Sequence, residues 1–328
     1  MVGRIAIGRI AWAILGVAAS LQLASGAAAQ QTYPTRTVRF ILPFGAASAT
    51  DMTARLFADR LSTRWGKPVV VENRPGGDGL ISLDAFVAAH DDHVLWFGPA
   101  GVFTVLPYQH DKLPFDPQRD INPIVSVSQV VLALSMPATM KIGSVNDLVA
   151  LARAQPGKLN AAASQGISDF LLSGFIKNMN LDIVKVPYRD IMHAPNDLVE
   201  GRIQLLSTSL AVVQPLANAG RIKVLAVTSR QRAPAMPDIP TAIEAGFPAL
   251  TFESIGGVFG PSSMPDALRE SIAADFRKVA EDPIIAKRLG DTGQIMSILR
   301  PSEFAASVQE QRDKLAGIAK ALGLAAAK

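Results

Sequence analysis

Between Val38 and Phe44 the chain reads Val-Arg-Phe-Ile-Leu-Pro-Phe, a nearly unbroken apolar run. A strand needs such a run when both faces of its sheet are covered. Small residues follow from Gly45 to Thr50, then a helical stripe of Ala54, Phe57, Ala58, Leu61 and Trp65 that Gly66 ends. The same alternation recurs along the chain. Strands are expected at Pro68–Val71, Val94–Phe97, Ile124–Val127, Val130–Ser135, Ile183–Val186, Ile203–Leu206 and Val224–Thr228. Helices are expected at Gly79–Ala89, after the cap Ser144 to Ala154, and at Asp266–Glu281, Pro283–Leu289 and Ser302–Leu322. Strand and helix in alternation predict an α/β protein with a parallel sheet. Two β-prone stretches, Ile121 to Ser135 and the proline-rich Ala233 to Pro261, read as crossings between two lobes. The expected layout is lobe one over 30–124, lobe two over 125–250 and a return to lobe one over 251–328, with a ligand cleft between the lobes.

The 328 residues include no cysteine, which excludes a disulfide scaffold, a Cys-ligated metal, a thiol nucleophile and an acylated lipoprotein anchor. A net charge of +4, with charged residues at 18% and no basic run, argues against nucleic-acid binding. Arg4 and Arg9 precede an apolar stretch from Ile10 to Leu23 that is short for a bilayer span, and Ala27-Ala28-Ala29 supplies small residues before Gln30. This pattern is a signal peptide, cut after Ala29. A Cys-free exported α/β chain is expected in the periplasm, as a monomer.

No catalytic constellation is present in the sequence. Asn73-Arg-Pro-Gly-Gly-Asp-Gly79 is neither a dinucleotide fingerprint nor a P-loop, and reads as a tight strand-to-helix turn. Asp91-Asp92-His93 has the chemistry of a metal cluster but reads as a solvated turn, and His193 reads as a surface or cleft-edge histidine. Asp182, Asp190 and Asp197 have no spacing that marks an acid–base pair. Neither a cofactor nor a bound metal is expected. Two stretches of small and hydroxyl residues stand before helix starts, Ala46-Ala-Ser-Ala-Thr50 and Ser164-Gln-Gly-Ile-Ser168. Free amides at helix N-termini, with small side chains allowing close approach, suit an anion. Simple N-capping by Ser48, Thr50 or Ser168 is the competing reading.

Segments in order along the chain carry a family resemblance: Tyr33–Phe44 with Ala49–Asp51, Val69–Gly76, Leu113–Pro117, Pro156–Asn160, Val186–Arg189, Leu225–Thr228, Pro237–Thr241 and Glu244–Gly246. The chain resembles the receptors of the tripartite tricarboxylate transporter family, also called Bug receptors. The resemblance implies a two-lobed, Venus-flytrap periplasmic binding protein of type II-like fold. Such a receptor closes on a small carboxylate and delivers it to the membrane components of its transporter. It implies that loop backbone, hydroxyls and waters hold the acid, not an arginine clamp. The site residues it points to are Phe44, Ala46, Ala47, Ser48, Thr50 and Asp51 in the first loop, and Gly98, Pro99 and Ala100 after the third strand. In lobe two they are Ser164, Gln165, Ser168, Asp169, Tyr188 and Thr208.

Departures from the family pattern bear on the ligand. Gly45-Ala-Ala-Ser48 stands where Pro-Ala-Gly-Gly is usual, and the third-strand loop reads Gly98-Pro-Ala-Gly-Val-Phe103. Asp169-Phe170 replaces a common Ser-His pair, and Asp190 and Ile191 replace Gly and a small residue. With fewer polar partners, a less polar carboxylate, aromatic or longer-chain, is favoured. Asp169 is expected to cap its own helix and point away from the cleft. Two other functions fit the same sequence: a receptor that reports to a membrane sensor kinase, and an exported hydrolase with an undetected Ser–Asp arrangement.

Overall fold

The computed structural model describes residues 33–164, 166–188 and 191–326. The signal sequence and its cut after Ala29 lie outside the described residues, as do Gln165, Arg189 and Asp190. The chain divides into an N-terminal unit ending at Thr35 and a unit from Arg36 onward, and the architecture below is that of the second.

Its first sheet has six strands: β1 (Val38–Leu42), β2 (Val69–Asn73), β3 (Val94–Pro99), β4 (Ile121–Val130), β10 (Ser254–Pro261) and β11 (Gln294–Met296). They lie in the order β11-β4-β10-β3-β1-β2. The second sheet has five: β5 (Leu132–Pro137), β6 (Leu159–Ala163), β7 (Ile183–Lys185), β8 (Leu205–Ser209) and β9 (Ile222–Val227), in the order β7-β6-β8-β5-β9. The expected parallel sheet is corrected by these pairings. β1 runs parallel to β2 and β3, but β10 is antiparallel to β3 and β4, and β5 is antiparallel to β8 and β9. Both sheets are mixed because a crossing strand that enters from the other sheet arrives from the opposite end.

The helices are α1 (Ala49–Trp65), α2 (Leu80–Ala89), α3 (Gly101–Gln109), α4 (Val145–Ala154), α5 (Ile167–Asn178), α6 (Ala194–Val199), α7 (Leu210–Asn218), α8 (Asp266–Ala280), α9 (Pro283–Asp291) and α10 (Pro301–Leu322). Local signals start and stop several of them as read. Ser48 caps α1 by accepting from the Asp51 amide, and Gly66 ends it in the left-handed region. Ser144 caps α4 in the same way. Strands β6 and β11 and helix α3 were not expected.

Helices cover both faces of each sheet, which explains the apolar runs. In the first sheet Trp96 packs with Phe103 and Phe259, and Phe259 with Phe304, at ring-centroid distances of 5.8, 5.5 and 4.9 Å. On another side Phe40 meets Phe97 and Phe276. In the second sheet Leu134, Leu148, Leu159 and Leu172 form one core, and Leu198, Leu206, Val213 and Val224 another. The chain leaves β4 at Val130 and enters β5 at Leu132, with buried Val131 between. It returns beside that crossing: the Thr228 amide donates to Leu132 O, and the Phe252 amide to Thr228 O. Helix α10 contacts elements of both sheets, with Phe304 and Val308 in the first core and Leu315 and Ala319 among Phe170 and Leu171 of α5. No helix among the described residues is long and apolar enough to cross a membrane.

Candidate functional site

The loop from Phe44 to Ser48 hangs between β1 and α1, with Gly45, Ala46 and Ala47 exposed. One buried carboxylate shapes it. Asp51, 3% exposed, accepts from the Ala47 amide at 2.9 Å, from Asn73 Nδ2 at 2.9 Å and from Arg55 Nε at 3.1 Å. Asn73 also donates to Phe44 O at 2.9 Å, so the end of β2 ties both ends of the loop. Burial opposes ionisation of Asp51, but the hydrogen bonds from Arg55, Asn73 and Ala47 outweigh it and hold its pKa below the usual carboxylate value. This staple keeps Ala47 at φ 64°, a left-handed conformation uncommon for alanine. The result is a fixed loop in which the amides of Gly45 and Ala46 donate to no described residue. Ser48 caps α1, and Thr50 is buried in its first turn. Asp51 thus organises the loop with both oxygens engaged.

The third-strand loop expected over Gly98–Phe103 is corrected. Gly98 and Pro99 belong to β3, and Gly101 opens α3, so one residue, Ala100, joins strand to helix. All three of Gly98, Pro99 and Ala100 are buried, and the Ala100 amide donates to Ile255 O at 3.0 Å. Gly98 has no room for a side chain, since a Cβ there would lie 2.6 Å from the Trp96 ring.

In the second sheet the matching loop runs from Ala163 to Gly166. Ser164 Oγ and Thr208 Oγ1 share a hydrogen bond of 2.6 Å, joining the ends of β6 and β8. Ser168 does not precede the helix as expected. It sits in the first turn of α5, 1% exposed, with its hydroxyl 2.9 Å from both Ser207 O and Ser207 Oγ. That pins helix to strand and leaves no hydroxyl proton for a ligand. Gly166, at φ 80°, precedes α5, and its amide donates to no described residue. Asp169 does not cap the helix. Its carboxylate pairs with Lys185 at 2.5 Å, and Lys185 also donates to Ser173 Oγ at 2.7 Å, so the acid faces a cation on the neighbouring strand. Tyr188 donates to Asp197 at 2.5 Å, and Arg202 pairs with the other oxygen of that carboxylate. Burial, then the Asp197 bond, pushes the Tyr188 phenol up to about 12. Gln165 lies outside the described residues.

Helices α3 and α5, which follow strands of different sheets, meet at their starts. A Cβ on Gly101 would lie 3.2 Å from Ile167 Cβ, which places the N-terminus of α3 against that of α5. First-turn amides have no intrahelical partner and carry the positive end of the helix dipole. The arrangement suits a carboxylate without a lysine or arginine. The Asn73 and Lys185 partnerships and the Gly101–Ile167 contact were missed in the sequence. Only glycines flanking helix starts hinted at the last.

Elsewhere, Asn73–Gly79 is the tight turn it was read as. Gly76, Gly77, Asp78 and Gly79 all have positive φ, and a Cβ on Gly79 would lie 2.2 Å from Val102 Cγ1. Asp91, Asp92 and His93 bring one ligand atom each within 4.8 Å of one another. Asp91 there is held by Arg36 at 2.6 Å and by the His93 amide at 2.9 Å, as a closed turn is. His193 is exposed.

Comparison with known proteins completes the picture. A protein of Pseudomonas sp. strain P51, described as a UPF0065 protein in the tcbD-tcbE intergenic region, is 30% identical over 285 residues, covering 85% of this chain and 84% of its own. A solved structure described as R. palustris Rpa4515 with adipate superposes with a TM-score of 0.80 at 29% identity, covering 89% of this chain and 99% of that one. The periplasmic binding protein BugD shares the fold, with a TM-score of 0.78 at 24% identity over 89% of this chain and 99% of that one. The two mixed sheets with their helices are thus the two-lobed α/β fold of periplasmic binding proteins. The model of the tripartite tricarboxylate transporter family receptor matches residues 53–324, and the chain belongs to that family.

Proposed function

We propose that this protein is a periplasmic receptor that captures a small organic carboxylate between its lobes and passes it to the membrane components of a tripartite tricarboxylate-type transporter. In this reading it is a binding protein and not an enzyme, exported by a signal peptide cut after Ala29, and it works as a monomer. Lobe one is built on the first sheet, up to the end of β4 at Val130 and again from β10 onward, and lobe two on the second sheet from β5 to β9. The observation that carries the reading is the meeting of α3 and α5 at Gly101 and Ile167, together with the amides of Gly45, Ala46 and Gly166 that have no partner among the described residues. The amides of Gly45, Ala46 and Gly166 and the Ser164–Thr208 hydroxyl pair grip the carboxylate and its waters. Tyr188, with its proton directed to Asp197, offers the ligand an acceptor oxygen or an apolar ring.

A flexible, weakly polar diacid fits best. The relative of R. palustris holds adipate, and this chain's third-strand segment, Gly98-Pro-Ala-Gly-Val-Phe103, carries no polar side chain. Calorimetric titration of the mature chain with adipate tests the proposal. Ser164→Leu removes the hydroxyl that pairs with Thr208 and fills the approach to the Gly166 amide. One lost hydrogen bond to a charge costs about 1.5–3 kcal/mol, and 1.4 kcal/mol is about tenfold in affinity. Affinity is therefore expected to fall at least tenfold in Ser164→Leu. Unchanged affinity would move the site away from these loops.

A further inference from the structure

Helix α3 borders a second concavity. Beyond its first turn, Phe103, Thr104 and Tyr108 line a cavity of about 600 Å³, closed on other sides by Phe115 and Asp116 of the loop after α3 and by Arg312 of α10. None of the cleft loops contributes to it. The volume lies in the range of small-molecule pockets, and most of its lining is aromatic, proline or aliphatic.

Arg312 is the unusual member. Its guanidinium has five donors, yet among the described residues it makes one hydrogen bond, from Nη2 to Pro117 O at 2.8 Å. Its Cζ stands 5.9 Å from the centre of the Phe103 ring. It forms no ion pair among the described residues, whereas the neighbouring Arg119 is paired with Asp120. Asp116, the carboxylate in this cavity, faces its own loop, accepting from the Gln118 amide at 2.8 Å. Burial lowers the Arg312 pKa against the weaker opposing field of Asp116. The Thr104 hydroxyl, on a residue 3% exposed, has no partner among the described residues.

A half-buried cation with unused planar donors, set beside aromatic and proline side chains, favours one ligand chemistry. A planar carboxylate matches the guanidinium fork, and an apolar body matches the walls. We propose that this cavity is a second ligand site, taking an aromatic or other apolar carboxylate whose acid group faces Arg312 and whose body lies against Phe103, Tyr108 and Phe115. The site stands independently of the cleft reading. It is also close to the cleft machinery, because the Tyr108 ring lies 5.8 Å from that of Phe170 on α5. An occupant pressing on Tyr108 is one ring away from the helix whose N-terminus faces the cleft.

Photolabelling of the mature chain with 4-benzoylbenzoate, followed by peptide mass spectrometry, tests the site. Label is expected on the peptides spanning 103–119 and on that containing Arg312. The neutral methyl ester should label these peptides at least tenfold less. Arg312→Met should lower labelling by the carboxylate at least tenfold. Arg312→Lys, which keeps charge but not the fork, should fall between, with thermal melts confirming that each variant is folded. Equal labelling in Arg312→Met, equal labelling by the ester, or label confined to residues 44–51 and 164–168 would overturn the proposal. Failure of adipate to bind the cleft would leave this label map unchanged, so the two readings fail separately.

Discussion

Replacing Asp51 by asparagine should loosen the first loop without removing any apolar contact. The carboxylate holds the Ala47 amide and Asn73 Nδ2, both at 2.9 Å, and the half-exposed Arg55. The exposed Arg55 pair contributes about 0.3–0.5 kcal/mol, as i,i+4 pairs do. The other two are bonds to a charge, about 1.5–3 kcal/mol each. Asparagine retains one acceptor, and the exposed Ala47 amide can turn to water, so about half of that sum is lost. The expected destabilisation is about 2–3 kcal/mol, or roughly 3–5 °C in melting temperature. The pH dependence separates this from simple repacking. The folded pKa of Asp51 lies below its ordinary 3.8, so its stabilisation is present above that value and disappears as pH falls through the folded pKa. Urea denaturation of both proteins from pH 7 down to pH 3 should therefore show the gap closing below about pH 4. A gap under about 1 kcal/mol at pH 7, or one constant over this range, would refute the staple and its role in holding Ala47 at positive φ.

Two further outcomes follow from the geometry. Gly79→Ala should destabilise the chain by about 2–4 kcal/mol, because its Cβ collides with Val102 at a left-handed φ of 96°; an unchanged urea midpoint would mean that α2 and α3 can slide apart. Tyr188→Phe should flatten the alkaline limb of the stability curve. The phenol's pKa is raised from 10.0 to about 12, so its contribution is full below pH 10 and lost as pH rises toward 12. Parallel pH-dependent denaturation profiles for the two proteins over that interval would count against the Tyr188–Asp197 bond.

Local sequence determined much of this protein. Strand β1, the Ser48 and Ser144 caps and the Gly66 stop were legible because each depends on residues within a few positions of one another. The same holds for the small-residue loops before α1 and α5. Strand direction was not, since alternating apolar runs report burial and not the end from which a strand enters. β5 and β10 are antiparallel because the chain crosses between sheets beside Leu132, Thr228 and Phe252. Helix α3 stayed hidden behind Pro107 near its end and Gly98-Pro99 at its start, and three-residue β11 has no period to read.

The divide is sharpest among the hydroxyls and charges of the two loops. Composition singled out Ser164 and Ser168, and the family resemblance Asp169, but only the tertiary structure sorted them. Ser168 is held by Ser207, Asp169 by Lys185, and Ser164 shares a hydrogen bond with Thr208. Arg312 lies over Phe103 because α10 places it there, with no ion-pair partner among the described residues. A residue type sets what a side chain can donate or accept. Which partners already occupy it is decided by segments tens to hundreds of residues away, and that is settled only when the chain has folded.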